Sequence, residues 1–271
     1  MAKYTIITIN YNNGKELRHT IESVINQTYK DVEYIIVDGG SSDDSVEIIK
    51  EYADNIDFWV SERDNGVYNA MNKGLSHAHG TYVNFMNSGD SFYSNRVIED
   101  IDRQIDNSDI LFGNVCDSHS GKRYGGIQSG SEVTFLTLKK EILCHQGTFY
   151  RREIFDRHPY DESLKLIADW KVNVQAIVFD NCKVKVVDTI IANYDLTGMS
   201  STQNQLHAEE RQKVMAEILP ARIIKDYEHL YTESEMPIVR LLPELKKRGR
   251  VQKIIYSIAK SILALTKKLG K

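Results

Sequence analysis

The chain has 271 residues, 41% hydrophobic and 27% charged, with a formal net charge of −4. This is an ordinary globular composition, long enough for one large α/β domain and an appendage without covalent staples. Of its 34 Lys/Arg and 38 Asp/Glu, ten and one fall in residues 240–271, leaving 24 against 37 for the body, a balance that excludes nucleic acid as the body's partner.

The elements alternate from the start. Tyr4–Asn10 is β-branched and stops at the turn residues Asn12-Asn13-Gly14, so it reads as a strand. Leu17–Ile25 carries a helical stripe at 17, 21, 24 and 25. Val32–Val37 is an almost unbroken apolar run, as a buried parallel strand should be, and ends in Asp38-Gly39-Gly40-Ser41-Ser42. A helix from about Asp44 follows, then a short strand Phe58–Val60, the turn Asp64-Asn65-Gly66 and a helix over Val67–His77. Tyr82–Met86 reads as a strand closed by Asn87-Ser88-Gly89-Asp90, Arg96–Ile105 as a helix and Asp109–Phe112 as a strand. Beyond Gly113, the four glycines of Gly121–Gly130 mark a hairpin or a mobile loop. Gln146–Tyr150 reads as a strand, Ile167–Phe179 as a helix, Lys183–Asn193 as a strand, Thr197–Gln205 as a loop and the remainder as helix.

This rhythm predicts an α/β fold with a mixed, mainly parallel sheet flanked by helices. The expected division is 1–205 for the sheet domain, 206–239 for a helical extension and 240–271 for a basic tail. Cys116, Cys144 and Cys182 are odd in number and form no CxxC pair, which disfavours a disulfide framework or a zinc site and fits a reducing compartment. No charged-then-apolar leader opens the chain and no apolar run nears the roughly 20 residues of a bilayer span, so a cytoplasmic location is expected.

Asp38, Asp64 and Asp90 each lie at a glycine-containing turn after a predicted strand. Ligands of open α/β sheets bind beyond the carboxyl ends of the strands, where carboxylates suit ribose hydroxyls, a base edge or a divalent cation. Asp and Gly also simply make turns. Neither GxGxxG nor GxxxxGK[ST] occurs after the first strand, which disfavours dehydrogenases and P-loop phosphotransferases.

Longer blocks carry a resemblance. Thr8-Ile9-Asn10-Tyr11-Asn12, Ser23–Tyr29 (SVINQTY), Glu33–Asp43 (EYIIVDGGSSD), Gly66–Gly74 (GVYNAMNKG), Phe85–Asp90 (FMNSGD), Cys144–Phe149 (CHQGTF) and Ala168-Asp169-Trp170 together resemble glycosyltransferase family 2, the inverting enzymes of GT-A fold. The likeness spans residues 3–201 and is greatest to the subgroup that builds bacterial surface polysaccharides such as O-antigen, capsule or exopolysaccharide.

It implies a nucleotide-sugar donor, expected to be UDP-linked, held by Thr8, Asn10, Tyr11, Asp38, Gly39, Ser41, Asp64, Gly66, Asn69, Asn72 and Lys73. It implies Mg²⁺ or Mn²⁺ at the end of the fourth strand, with Asp90 the main ligand and Asn87 a second, because Asn87-Ser88-Gly89-Asp90 holds one carboxylate where relatives have several. Asn69 stands where the block usually has Asp. The resemblance implies that Asp169 acts as general base toward an acceptor hydroxyl, while an acid here could also be the N-cap or first-turn carboxylate of the helix through Trp170. His145, with Gln146 beside it, is open between metal ligand, acceptor contact and packed histidine. Trp170 sits where it could stack on an acceptor sugar or pack, and Gly198 and Ser200 belong to the segment Asp195–Ser201 that would close over the donor. Two rivals stand beside this reading. A sugar nucleotidyltransferase would want a glycine-rich basic loop where Tyr11-Asn12-Asn13-Gly14-Lys15 stands. A catalytically degenerate nucleotide-sugar-binding protein would explain the thinned metal motif.

In the tail, Val251, Ile255, Ile258, Ile262, Leu265 and Leu269 form one helical stripe flanked by Lys253, Lys260, Lys267 and the cluster Lys246-Lys247-Arg248. Residues 246–271 therefore read as a peripheral anchor on the anionic inner face of the cytoplasmic membrane, toward a lipid-linked glycan acceptor. The same stripe would also serve as a helix packed on its own domain or a coiled-coil seam in a homodimer.

Overall fold

The computed structural model describes residues 2–124, 126–141, 143–194, 203–235 and 247–269, arranged as two units, Met1–Val214 and Met215–Lys271. In the first unit the strands are β1 Tyr4–Asn10, β2 Val32–Asp38, β3 Phe58–Ser61, β4 Tyr82–Phe85, β5 Ser91–Phe92, β6 Ile110–Asp117, β7 Arg123–Tyr124, β8 Thr148–Arg151 and β9 Val184–Tyr194. They form one sheet in the order β3-β2-β1-β4-β8-β6-β9-β5, with β7 beside β6. The pairs β3/β2, β2/β1 and β1/β4 are parallel, and β8 enters antiparallel between β4 and β6.

Crossover helices cover this sheet, as parallel strands require. They are α1 Gly14–Ile25, α2 Ser45–Glu51, α3 Val67–Ser76 and α4 Val97–Asp102. Tyr4, Ile6, Leu17, Ile21, Ile36, Ile49, Ile98, Leu111 and Phe149 form one continuous buried cluster. Full burial of side chains of this size stabilises by about 1.5–3 kcal/mol each. The second half adds α5 Phe135–Lys140, α6 Glu153–Arg157 and α7 Ala168–Val174, which continues as one π-helical turn over Gln175–Phe179.

Two expectations shift and one open alternative is decided. Strand β6 runs on through Gly113 to Asp117, because β9 lies so close there that a Cβ at Gly113 would sit 2.7 Å from Thr189 O and 2.6 Å from Ile191 Cδ1. At the start of the glycine-rich stretch Arg123 and Tyr124 form the return strand of a hairpin, with Arg123 opposite Cys116. Gln146 lies in the 3₁₀ turn His145–Gly147 ahead of β8, not in the strand.

The first unit also takes in the early turns of α8 Asn204–Ile218. Glu210 accepts from the backbone N–H groups of Lys165 and Leu166 at 2.7 and 3.0 Å, and Arg211 donates to Leu138 O and Lys139 O. These bonds, with no local pattern to announce them, hold the early turns of α8 to the first unit. In the second unit, α9 Ala221–Glu235 and α10 Gly249–Leu269 are helical. Val251, Ile254 and Ile258 of α10 are exposed. No helix among the described residues is long and apolar enough to cross a membrane.

Candidate active site

The parallel register sets the site. Asn10 pairs with Asp38 and Asp38 with Ser61, so the last residues of β1, β2 and β3 stand in a row on the carboxyl edge. Asp38 is fully buried. Its carboxylate accepts from Asn10 Nδ2 at 2.7 Å, Ser41 N at 2.9 Å, Ser41 Oγ at 2.6 Å and Ser61 Oγ at 2.6 Å. Burial alone would push this carboxyl up, but the four donors hold it below the ordinary value. Asp38 is thus engaged within the protein as the brace of its loop rather than standing open to a ligand. Asn10 Oδ1 beside it is buried and has no hydrogen-bond partner among the described residues. Ser41 Oγ also accepts from Asn12 N at 2.7 Å, tying the β1 and β2 loops together.

Gly39 is where three expected donor residues meet. A Cβ there would lie 2.5 Å from Asp64 Oδ2 and 3.2 Å from the Tyr11 ring, so only glycine lets the loops approach this closely. The next residue, Gly40, has φ +78°, in the left-handed region glycine tolerates, and backs onto the Arg63 backbone. Asp64 Oδ1 accepts from Gly66 N at 2.9 Å, and Tyr11 is 65% exposed, its ring offering a flat face beside the Asp64 carboxylate.

Four other expected donor contacts are used elsewhere. Thr8 is buried in the core, where its hydroxyl donates to Met86 O at 2.8 Å and meets Tyr34 Oη at 3.0 Å, so it lines no pocket. Lys73 pairs with Glu62 at 2.6 Å and donates to Arg63 O. Asn69 and Asn72 both donate to Glu162 at 2.8 Å, and Asn72 also exchanges bonds with the Tyr160 backbone. This makes α3 the strut between the two halves of the domain. Sequence reading missed Ser61 and Glu162. Ser61 was findable from its register opposite Asp38, whereas Glu162 has no local signal.

The second cluster lies past β4. Asp90 is buried and accepts from Gln146 Nε2 at 2.8 Å. His145 bridges Asn87 and Asp169, with Nε2 3.0 Å from Asn87 Nδ2 and Nδ1 a long 3.4 Å from Asp169 Oδ2. With the Asn87 amide as donor, Nε2 accepts and the ring proton resides on Nδ1, facing the carboxylate. Asn84 fixes this turn from below by donating to the carbonyls of Gln146 and Thr148 at 3.0 and 2.9 Å. Asp169 stands in the first turn of α7, a favourable place for a carboxylate, and accepts from Trp170 N at 2.7 Å. Burial beside Asp169 raises the Tyr68 phenol well above its ordinary value, so Tyr68 stays protonated.

Of the two readings of Trp170, stacking and packing, the structure takes packing. The side chain is buried, donates from Nε1 to Leu138 O at 2.8 Å and lies under the Arg211 guanidinium at 4.7 Å, so no sugar reaches its ring. Gly198 and Ser200, with the rest of Asp195–Ser201, lie outside the described residues.

Among the described residues no group of three or more His, Cys, Asp or Glu is placed to hold a metal ion. The oxygen ligands at hand are the Asp90 carboxylate and Asn87 Oδ1, a buried acceptor with no partner among the described residues. That set fits a hard cation that keeps waters and takes further ligands from phosphate.

The family model for glycosyl transferase family 2 matches residues 5–158. The chain belongs to glycosyltransferase family 2. It is 30% identical over 207 residues to the PGL/p-HBAD biosynthesis glycosyltransferase of Mycobacterium bovis (strain BCG / Pasteur 1173P2), covering 73% of this chain and 79% of the relative. Its fold is GT-A-like, similar to that of S. aureus TarS at a TM-score of 0.67 and 18% identity, covering 88% of this chain. The chain spans 44% of that TarS chain's length. TarS residues 1–349 also match in complex with UDP-GlcNAc, with a TM-score of 0.60 at 22% identity over 71% of this chain and 58% of that one. The mannosyltransferase PcManGT from Pyrobaculum calidifontis, in complex with GDP-Man and Mn²⁺, matches with a TM-score of 0.57 at 15% identity over 76% of this chain and 59% of its own.

Proposed function

We propose that this family 2 glycosyltransferase moves a sugar, with inversion, from a nucleoside-diphosphate donor to a hydroxyl of a glycan or lipid-linked glycan in cell-surface polysaccharide synthesis. The observation that carries this reading is the turn His145–Gly147. His145 lies 3.4 Å from Asp169 and Gln146 holds Asp90, which supports reading the two acids as base and leaving-group ligand of one site.

The base and ribose of the donor would lie on Tyr11 and Gly39 against the Asp64 carboxylate, which accepts N–H and O–H donors. The solved neighbours carry UDP-GlcNAc and GDP-Man, so their shared diphosphate supports the donor class while the base stays open to test. Asp90 and Asn87 Oδ1 would hold Mg²⁺ or Mn²⁺, which when bound offsets the charge developing on the diphosphate. Asp169 would take the acceptor hydroxyl proton as that oxygen attacks the anomeric carbon. His145 Nδ1–H and Trp170 N–H orient the carboxylate for this step. The apolar stripe of α10, with its lysines, would rest on an anionic membrane surface and keep the enzyme near a lipid-linked acceptor.

The test is incubation with UDP- and GDP-sugars with and without Mn²⁺ or Mg²⁺, following donor hydrolysis and protection from heat. Stabilisation by at least one donor with slow hydrolysis is the expected result. Protection without any turnover would favour a degenerate binding protein, and no response to any donor would overturn the reading. For the tail, removal of residues 246–271 should abolish flotation with anionic vesicles; unchanged flotation would return α10 to a packing or dimer role.

A further inference from the structure

A second concavity lies away from the donor edge. It has a volume of about 520 Å³ and is lined by Asn114, Arg123, Ile127, Gln128, Ser129 and Asp188, with the Gly126 backbone. That volume falls within the range of small-molecule sites, about 300–1,000 Å³. Its roof is residues 126–130, which are tied back to β9. Ser129 Oγ donates to Val186 O at 3.1 Å and Gly130 N to the same carbonyl at 3.2 Å. Gly126 packs against the Glu141 side chain, in the segment that leads to the catalytic turn.

The floor connects directly to that turn. Gly113 O lies 3.1 Å from the Cβ position of Gly147, so β6 and the His145–Gly147 turn meet backbone to backbone. Asn114, the next residue along β6, is buried in the cavity floor. A molecule seated here therefore touches β6 one residue from the position that meets the His145–Gly147 turn.

The lining has the chemistry of sugar recognition. Gln128 presents an exposed carboxamide that can donate and accept toward vicinal hydroxyls, Ser129 Oγ keeps acceptor capacity beside its bond to Val186 O, and Asn114, whose Nδ2 lies 3.5 Å from Val187 O, adds a second carboxamide. Ile127 is buried and supplies apolar surface against the C–H face of a pyranose. The two charges of the lining, Arg123 and Asp188, pair with each other, and Glu141 adds a carboxylate nearby. An anionic ligand would find no net positive charge there.

We propose that this cavity is a saccharide subsite that grips a neutral sugar ring of the acceptor, next to the unit whose hydroxyl is glycosylated. The proposal rests on the transferase reading, and its test separates the two. Saturation-transfer NMR on the full-length protein without donor would be run with lactose, cellobiose and chitobiose, and with a glucuronic-acid disaccharide as the anionic comparison. Thermal shift with UDP-GlcNAc and GDP-Man would follow donor binding in parallel.

At least one neutral disaccharide should bind in preference to the anionic one. Gln128→Trp, a substitution at an exposed position that fills the cavity, should weaken it tenfold or more while leaving the donor shift unchanged. Asp188→Asn frees the Arg123 charge and should move the preference toward the uronic-acid sugar. Binding by none of the neutral sugars, or binding undiminished by Gln128→Trp, would overturn the subsite. Sugar binding that Gln128→Trp removes, in a protein that answers no nucleotide sugar, would support the cavity's ligand class and remove the transferase reading instead.

Discussion

The two carboxylate clusters of this domain are built on opposite plans. At the ends of β1–β3, Asp38 is buried under four donors from its own chain and holds three loops together. Past β4 and at the start of α7, two acceptors, Asn87 Oδ1 and the Asp169 carboxylate, are less completely used. Asn87 Oδ1 has no partner among the described residues, and Asp169 meets His145 only at 3.4 Å. A carboxylate saturated by the protein is committed to architecture, whereas one left short of donors keeps capacity for a cation, a hydroxyl or a proton. The difference sorts acids that sequence alone treats alike.

The sharpest way to break this contrast is Asp169→Asn. It keeps shape and the Trp170 N–H contact but removes the proton acceptor, so transfer should fall about 10²- to 10⁴-fold. The donor-induced thermal shift should persist, and stability should hold or rise. Steady-state rates beside melting curves decide it, and turnover within a few-fold of wild type would remove Asp169 as base. Asn87→Ala tests the same cluster from the cation side. Loss of that amide oxygen should raise the Mn²⁺ or Mg²⁺ concentration for half-maximal rate about 10- to 100-fold, the scale of disturbed metal surroundings. An unchanged metal titration would leave Asn87 as a partner of His145 alone.

Asp38→Asn is the converse experiment at the saturated cluster. It turns an acceptor of four hydrogen bonds into a group that must aim an N–H₂ at other donors. The expected cost is about 1–3 kcal/mol of stability, the usual range for stranded buried polar groups. Urea unfolding measures it, and any loss of donor affinity should follow the loss of order in the Tyr11–Gly39 floor. A variant as stable as wild type would show that the four bonds are replaceable.

Much of the first half was legible because its signals are local. Val32–Val37 announces a buried parallel strand, and glycine after Asp38 announces a loop that must approach a neighbour. The edge carrying Asp38, Asp64 and Asp90 follows from parallel strands alone. What those acids do there was not legible, since only the register reveals Ser61 opposite Asp38 and only the packing reveals Asp90 under Gln146. The open choice at Trp170 and the expected donor role of Thr8 turned on the same point. Each residue lies inside a family block, but a block shows that a residue matters, not whether it faces the ligand or the core. The contacts of Asn69 and Asn72 with Glu162 join segments about ninety positions apart and leave no trace in either segment's pattern.

The smallest expected effect concerns how α7 carries Asp169. Lys171, on the same helix and buried, pairs with Asp161 at 2.8 Å. Partial burial would raise the Asp161 carboxyl, yet Lys171 and Ser163 hold it down at about 2, below the roughly 3.9 of an unfolded chain. A depressed carboxylate stabilises the fold above its unfolded value, and that contribution is lost as pH falls from about 4 through about 2. Asp161→Asn should therefore cost on the order of 1 kcal/mol near neutrality, as a partly exposed pair does. The gap to wild type should close on acidification across that window. Urea midpoints for the two proteins at pH 7, 4 and 2.5 measure it. A gap constant with pH would mean that Asp161 holds α7 through the geometry of its hydrogen bond with Lys171 and not through its charge. The pair would then belong, with Asp38, to the carboxylates whose work is architecture.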